Sequence, residues 1–132
     1  MPNTSKIVVL IADDEPSTVA MLSSHLRSKG YAVLEASDGD QAWELAHEHL
    51  PHLVILDVMM PGISGYDALK LIKDKFESPP PVVVYSAVDG VDEKVKGKET
   101  RDYTYVVKTP SGSLLFEAVQ AALAACGRKI LN

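Results

Sequence analysis

The chain has 132 residues, 46% of them hydrophobic, which is enough for one sizeable core and too short for two ordinary domains, so a single domain is expected with its core over about residues 5–127. A net charge of −5 argues against direct nucleic-acid binding, which rests on clustered Lys and Arg neutralising phosphates. No stretch approaches the length of a membrane span, and the apolar run in "MPNTSKIVVL" is too short for a signal peptide, so a soluble, cytoplasmic protein is expected.

Apolar strand-like runs alternate with helical patterns along the whole chain. "KIVVLIA" (6–12) reads as a buried strand rich in β-branched residues, and the helix after it opens near Pro16, aligns Val19, Leu22 and Leu26 on one face, and stops at Gly30. "YAVLEA" (31–36) is a second strand. Asp38 and Gln41 then stand at capping-box spacing before a helix that buries Ala42, Leu45, Ala46 and His49. Leu53 to Leu56 have no polar alternation, the pattern of a strand covered on both faces. Ser64 can cap a third helix burying Leu69, Ile72 and Phe76, and "PPP" (79–81) delivers an extended chain into the strand "VVVYSA". "YTYVVK" (103–108) is a fifth strand, and Ser113 can cap a last helix with Leu115, Val119, Ala122 and Cys126 inward. Five βα units in a row predict an α/β fold, a parallel sheet wound with helices on both faces.

In open sheets of this kind, ligands bind beyond the carboxyl ends of the strands, where the strand order reverses. Four predicted strands end there in polar groups: Asp13 and Asp14, Asp57, Ser86 and Lys108. Singly, each has a plain structural role open to it, as helix cap, turn former or solvated charge. Together they define a site. Two carboxylates ~4 Å apart repel by roughly 4 kcal/mol at an effective dielectric of ~20, so three anions in one pocket call for a cation. All-oxygen ligands favour Mg²⁺, with Mn²⁺ also compatible, and Mg²⁺ commonly bridges carboxylate to phosphate. One carboxylate can then act as a nucleophile toward a phosphoryl group while the metal and Lys108 offset charge on its oxygens and Ser86 donates a hydrogen bond.

"ADDEP", "LVILDVMMPGISG", "VVVYSA" and the "YVVK" ending in Lys108 resemble, in order and spacing, the receiver domain of two-component response regulators, whether standing alone as in chemotaxis or excised from a larger regulator. The resemblance implies a flavodoxin-like five-stranded sheet of order 2-1-3-4-5. It implies that Asp57 accepts a phosphoryl group from a histidine kinase or phosphotransfer protein. By the same resemblance Asp14 binds Mg²⁺ directly, Asp13 acts largely through metal-bound water, and the Met59 backbone carbonyl completes the protein's ligands. Lys108 contacts the phosphoryl group, and Ser86 with Tyr105 forms a switch pair. The expected product is a switching module rather than a turnover enzyme. Its partner or output domain would dock on the face formed by residues 89–126, with the chain a monomer or a phosphorylation-dependent dimer.

Two stretches depart from the family pattern. "KTP" places Thr109 between Lys108 and Pro110, so any cis bond is expected at Thr109-Pro110 and not after Lys108. Residues 89–103 lack an apolar stripe, so a short or frayed helix is expected there. Two other functions use the same sheet edge: a nonphosphorylated scaffold of receiver architecture, and a metal-dependent aspartyl-phosphate hydrolase. The latter group carries its nucleophile after the first strand in a DxD arrangement that "ADDEP" lacks. Elsewhere signals are weak. His47 and His49 point to different helix faces, His25 and His52 have no partner in sequence, and Trp43 reads as packing beside the buried stripe. Cys126, the lone cysteine, reads as a small buried hydrophobe in "AALAAC". No GxxxxGK[ST] loop supports nucleotide binding.

Overall fold

The structure, a computed structural model, describes residues 7–57, 65–76, 80–86, 104–107 and 113–131. In chain order the elements are β1 (Val8–Ala12), α1 (Pro16–Ser28), β2 (Ala32–Ala36), α2 (Gly39–His49), β3 (Leu53–Leu56), α3 (Gly65–Lys75), β4 (Val82–Ser86), β5 (Thr104–Val107) and α4 (Ser113–Leu131). Every strand pairing is parallel, and the order is β2-β1-β3-β4-β5, the flavodoxin-like arrangement expected from the sequence. The chain therefore reverses its winding direction at β1, and β1 and β3 lie side by side at the switch point.

The unbroken apolar run of β3 is explained by its cover, since all four of its residues are buried. Pleating sends Val54 and Leu56 toward α2 and α3, where they pack with Leu10, Val84, Ala46 and Ile72. The alternate residues Leu53 and Ile55 face α1 and α4, among Val9, Leu22, Leu26 and Val119. Each fully buried Leu, Ile or Val contributes roughly 1.5–3 kcal/mol relative to exposure, so this double cover is what holds the sheet's carboxyl edge in place. Among the described residues no helix is long and apolar enough to cross a membrane.

Local signals account for the helix ends. Pro16 occupies the first turn of α1, and Gly30 takes the left-handed conformation (φ 94°) just past its end. At α2, Asp38 Oδ1 accepts the Gln41 N–H (2.8 Å), while Gln41 Oε1 reaches back one residue further than a standard capping box and accepts the Ser37 N–H (2.9 Å). Asp38→Ala should cost about 1 kcal/mol, read as a lower urea midpoint with unchanged slope; an unaltered midpoint would show that Gln41 alone holds this end.

Several details differ from the sequence reading. His49 is exposed in the last turn of α2, which ends at Leu50, whose left-handed backbone (φ 51°) turns the chain into Pro51. Leu69 and Phe76 are only partly buried, while Ala68, which sits at 0% exposure, takes the central position on α3. Leu123 joins Leu115 and Val119 on the buried face of α4. That helix begins at Ser113 itself rather than after it. His52 has a structural partner: its Nδ1 accepts the Val8 N–H (3.0 Å) and its own N–H donates to the Val8 carbonyl (2.8 Å), pinning the start of β3 to β1. The segment 89–103, the "KTP" bonds, Ser64 and the Cys126 side chain lie outside what is described.

Candidate functional site

Asp13, Asp14 and Asp57 leave the sheet on neighbouring strands. Ala12 pairs with Ala36 on one side and with Leu56 on the other, so the residues that follow β1 and β3 emerge at one level. Two further hydrogen bonds extend the ladder into the site. The Asp57 N–H donates to the Ala12 carbonyl (2.9 Å), and the Asp13 N–H donates to the Ala36 carbonyl (3.0 Å). Backbone position here is therefore inherited from the rigid centre of the sheet.

One oxygen from each carboxylate lies within 4.8 Å of the other two. Asp13 and Asp57 are buried, at 3% and 6% exposure, and Asp14 is open to solvent. The cluster thus has two fixed acids at its base and one accessible acid at its mouth. Neither Asp13 nor Asp14 is the cap of α1. That position belongs to Glu15, whose carboxylate accepts the Thr18 hydroxyl (2.6 Å) and whose N–H donates to Asp13 Oδ1 (2.9 Å). The bond to Glu15 orients the Asp13 carboxylate at the base of the cluster.

A groove of about 580 Å³ opens beside the cluster between α1 and β2, with Asp13, Asp14, Ser23, Arg27, Glu35 and Gln41 in its walls. Its far wall is stitched by the buried Ser23 hydroxyl, which donates to Glu35 Oε2 (2.5 Å), and by Arg27 at 3.8 Å from the same oxygen. Among the described residues no buried side-chain nitrogen or oxygen lacks a hydrogen-bond partner. Ser86 closes β4, the strand next to Asp57, in register with Val107, and Tyr105 on the edge strand β5 pairs with Val84 one strand further out. The roles expected of the Ser86 and Tyr105 side chains, the Met59 carbonyl and the Lys108 amine lie outside the described residues and side chains. The Glu15 and His52 roles were missed from sequence; the pair Glu15 and Thr18 at capping spacing could have signalled the first, and nothing local signals the second.

The family model described as "Response regulator receiver domain" matches residues 9–120. The chain belongs to the response regulator receiver domain family. This receiver is 33% identical over 117 residues to protein PilH of Pseudomonas aeruginosa, covering 88% of this chain and 97% of PilH. It is 38% identical over 119 residues to the "Probable transcriptional regulator ycf27" of Guillardia theta, covering 90% of this chain but 46% of that protein's length. The receiver therefore spans about half of the longer of these two curated relatives. Among solved structures, it is similar to the response regulator TrrA of Thermotoga maritima in complex with Mg²⁺ and BeF, with a TM-score of 0.77 and 28% identity over 88% of this chain and 98% of that one. The receiver domain and its parallel α/β fold thus agree with the expectation drawn from "ADDEP" and "LVILDVMMPGISG".

Proposed function

We propose that the chain is one receiver domain, residues 1–132, that takes a phosphoryl group onto Asp57 from a histidine kinase or phosphotransfer protein in a Mg²⁺-dependent reaction. The observation that carries this reading is the convergence of three carboxylates, two of them buried, with Asp57 at the end of the central strand.

The donor set suits a hard divalent ion: oxygens only, drawn together to a distance at which the anions repel one another. Asp14, Asp57 and the Met59 carbonyl would hold Mg²⁺ directly, with Asp13 acting through bound water. When bound, the ion neutralises charge on the transferring phosphoryl oxygens. A carboxylate oxygen of Asp57 forms the new O–P bond while the P–N bond of the phosphohistidine breaks, and the imidazole leaves and takes a proton from water. Lys108 supplies a positive charge to the phosphoryl oxygens and Ser86 a hydroxyl donor. The Ser86 hydroxyl, drawn to the phosphate, vacates space for the Tyr105 ring, and the face of residues 89–126 changes its affinity for a downstream protein or output domain. The domain switches partners, or its own dimerisation, instead of turning over substrate. It works in the cytoplasm, with no nucleic-acid or membrane contact of its own.

TrrA is described with Mg²⁺ and BeF. Beryllofluoride, a tetrahedral stand-in for a phosphoryl group, provides the test. With Mg²⁺ present it should shift the amide resonances of Asp57 and Ser86 and those of residues 89–107, and without Mg²⁺ it should do nothing. Metal-independent shifts, or none in either case, would overturn the reading.

A further inference from the structure

A second feature lies on α2, on the opposite face of the sheet from α1 and α4. Trp43, the chain's single tryptophan, is half-buried and packs against the core under α2 and α3. Its ring stacks with His47 (centroids 5.3 Å, interplanar angle 29°) and tilts against Phe76 (5.9 Å, 59°). These contacts fix the indole. The rest of it lines a shallow hollow of about 540 Å³ with Glu44, His47 and Glu48. Both carboxylates are exposed; Glu48 Oε1 lies 3.7 Å from His49 Nε2, and among the described residues no Lys or Arg forms an ion pair with either.

An indole face is the best side-chain surface for a cation, and two carboxylates one helical turn apart beside it add acceptors. A guanidinium matches both parts, because it is planar, stacks on aromatic rings and forks onto carboxylates. A metal ion fits less well: among the described residues the only acids and histidines that converge on one point are Asp13, Asp14 and Asp57. A small molecule is also a poor match, since a ligand pocket normally encloses most of its occupant and this hollow is walled by a single helix. A protein surface would supply the missing cover. We propose that this face of α2 docks a protein partner through an arginine, its guanidinium over Trp43 and its N–H donors directed to Glu44 and Glu48. The capped start of α2 lies at the sheet's carboxyl edge, whereas Glu44 is at the helix midpoint and Glu48 in its last turn, and neither lines the groove beside Asp13 and Asp14.

The test uses the full chain in saturating Mg²⁺, which occupies the acidic cluster, and an alanine-rich peptide carrying two arginines. A matched peptide carries the neutral isostere citrulline. The arginine peptide should change the Trp43 fluorescence saturably, and the citrulline peptide should not. The double variant Glu44→Gln, Glu48→Gln keeps Trp43 as the reporter and alters only exposed positions; it should bind about five- to tenfold more weakly, and added salt should weaken the wild type likewise. Equal binding of the two peptides, equal affinity in the double variant, or no Trp43 response up to millimolar arginine peptide would overturn the proposal.

Discussion

Asp14→Ala should remove most of the thermal stabilisation that Mg²⁺ gives the wild-type domain. A ligand at 100 times its dissociation constant stabilises the folded state by about 2.7 kcal/mol, which for a domain of this size is a rise of several degrees in Tm. Asp14 is the accessible member of the cluster, while Asp13 already commits one oxygen to the Glu15 N–H. Losing Asp14 would therefore remove the proposed direct ligand and a full charge at the mouth of the site without disturbing a buried bond. Asp13→Ala should weaken the metal effect less and should also lower the metal-free Tm, because it strips the Glu15 N–H of its acceptor. Differential scanning calorimetry with and without Mg²⁺ separates the two variants. A metal-induced shift in Asp14→Ala equal to that of the wild type would remove this residue from the ligand set.

Leu56→Ala should have the opposite signature. Leu56 is fully buried between β1 and β4, paired with Ala12 and Val84, and packed under α2 and α3. Its truncation leaves a cavity and should cost roughly 2–5 kcal/mol. The backbone bond from the Asp57 N–H to Ala12 does not involve the lost side chain, so Mg²⁺ affinity of the folded fraction should change little. Urea unfolding measures the first effect and isothermal titration below the transition measures the second. A loss of metal affinity as large as that of Asp14→Ala would mean that the cluster depends on core packing and not on the strand ladder.

Much of this organisation is legible in residue order. Leu53 to Leu56 announce a doubly covered strand because nothing polar interrupts them, and Pro16, Gly30 and Asp38 mark helix ends through backbone constraints local to each. The acidic cluster is legible because parallel winding puts every strand's carboxyl end on one edge. What escapes the sequence depends on distant partners. His52 looks idle until β1 lies beside it and offers the Val8 N–H across 44 residues of chain. His49 falls on the buried stripe by helical spacing, yet in the last turn of α2 its side chain is 47% exposed and lies 3.7 Å from Glu48. Trp43 reads as packing, which it is, but only the tilt of Phe76 from the far end of α3 reveals that its ring is braced with a surface left over.

Whether Asp57 is the phosphoacceptor can be read from the mass of the intact protein. The full chain is incubated with phosphoramidate, a small donor with a P–N bond, in Mg²⁺ and again in EDTA, beside the Asp57→Asn variant. One phosphoryl group should be added to the wild type in Mg²⁺, little in EDTA and none on Asp57→Asn. An adduct that persists undiminished in Asp57→Asn, or no adduct on the wild type, would contradict that role for Asp57.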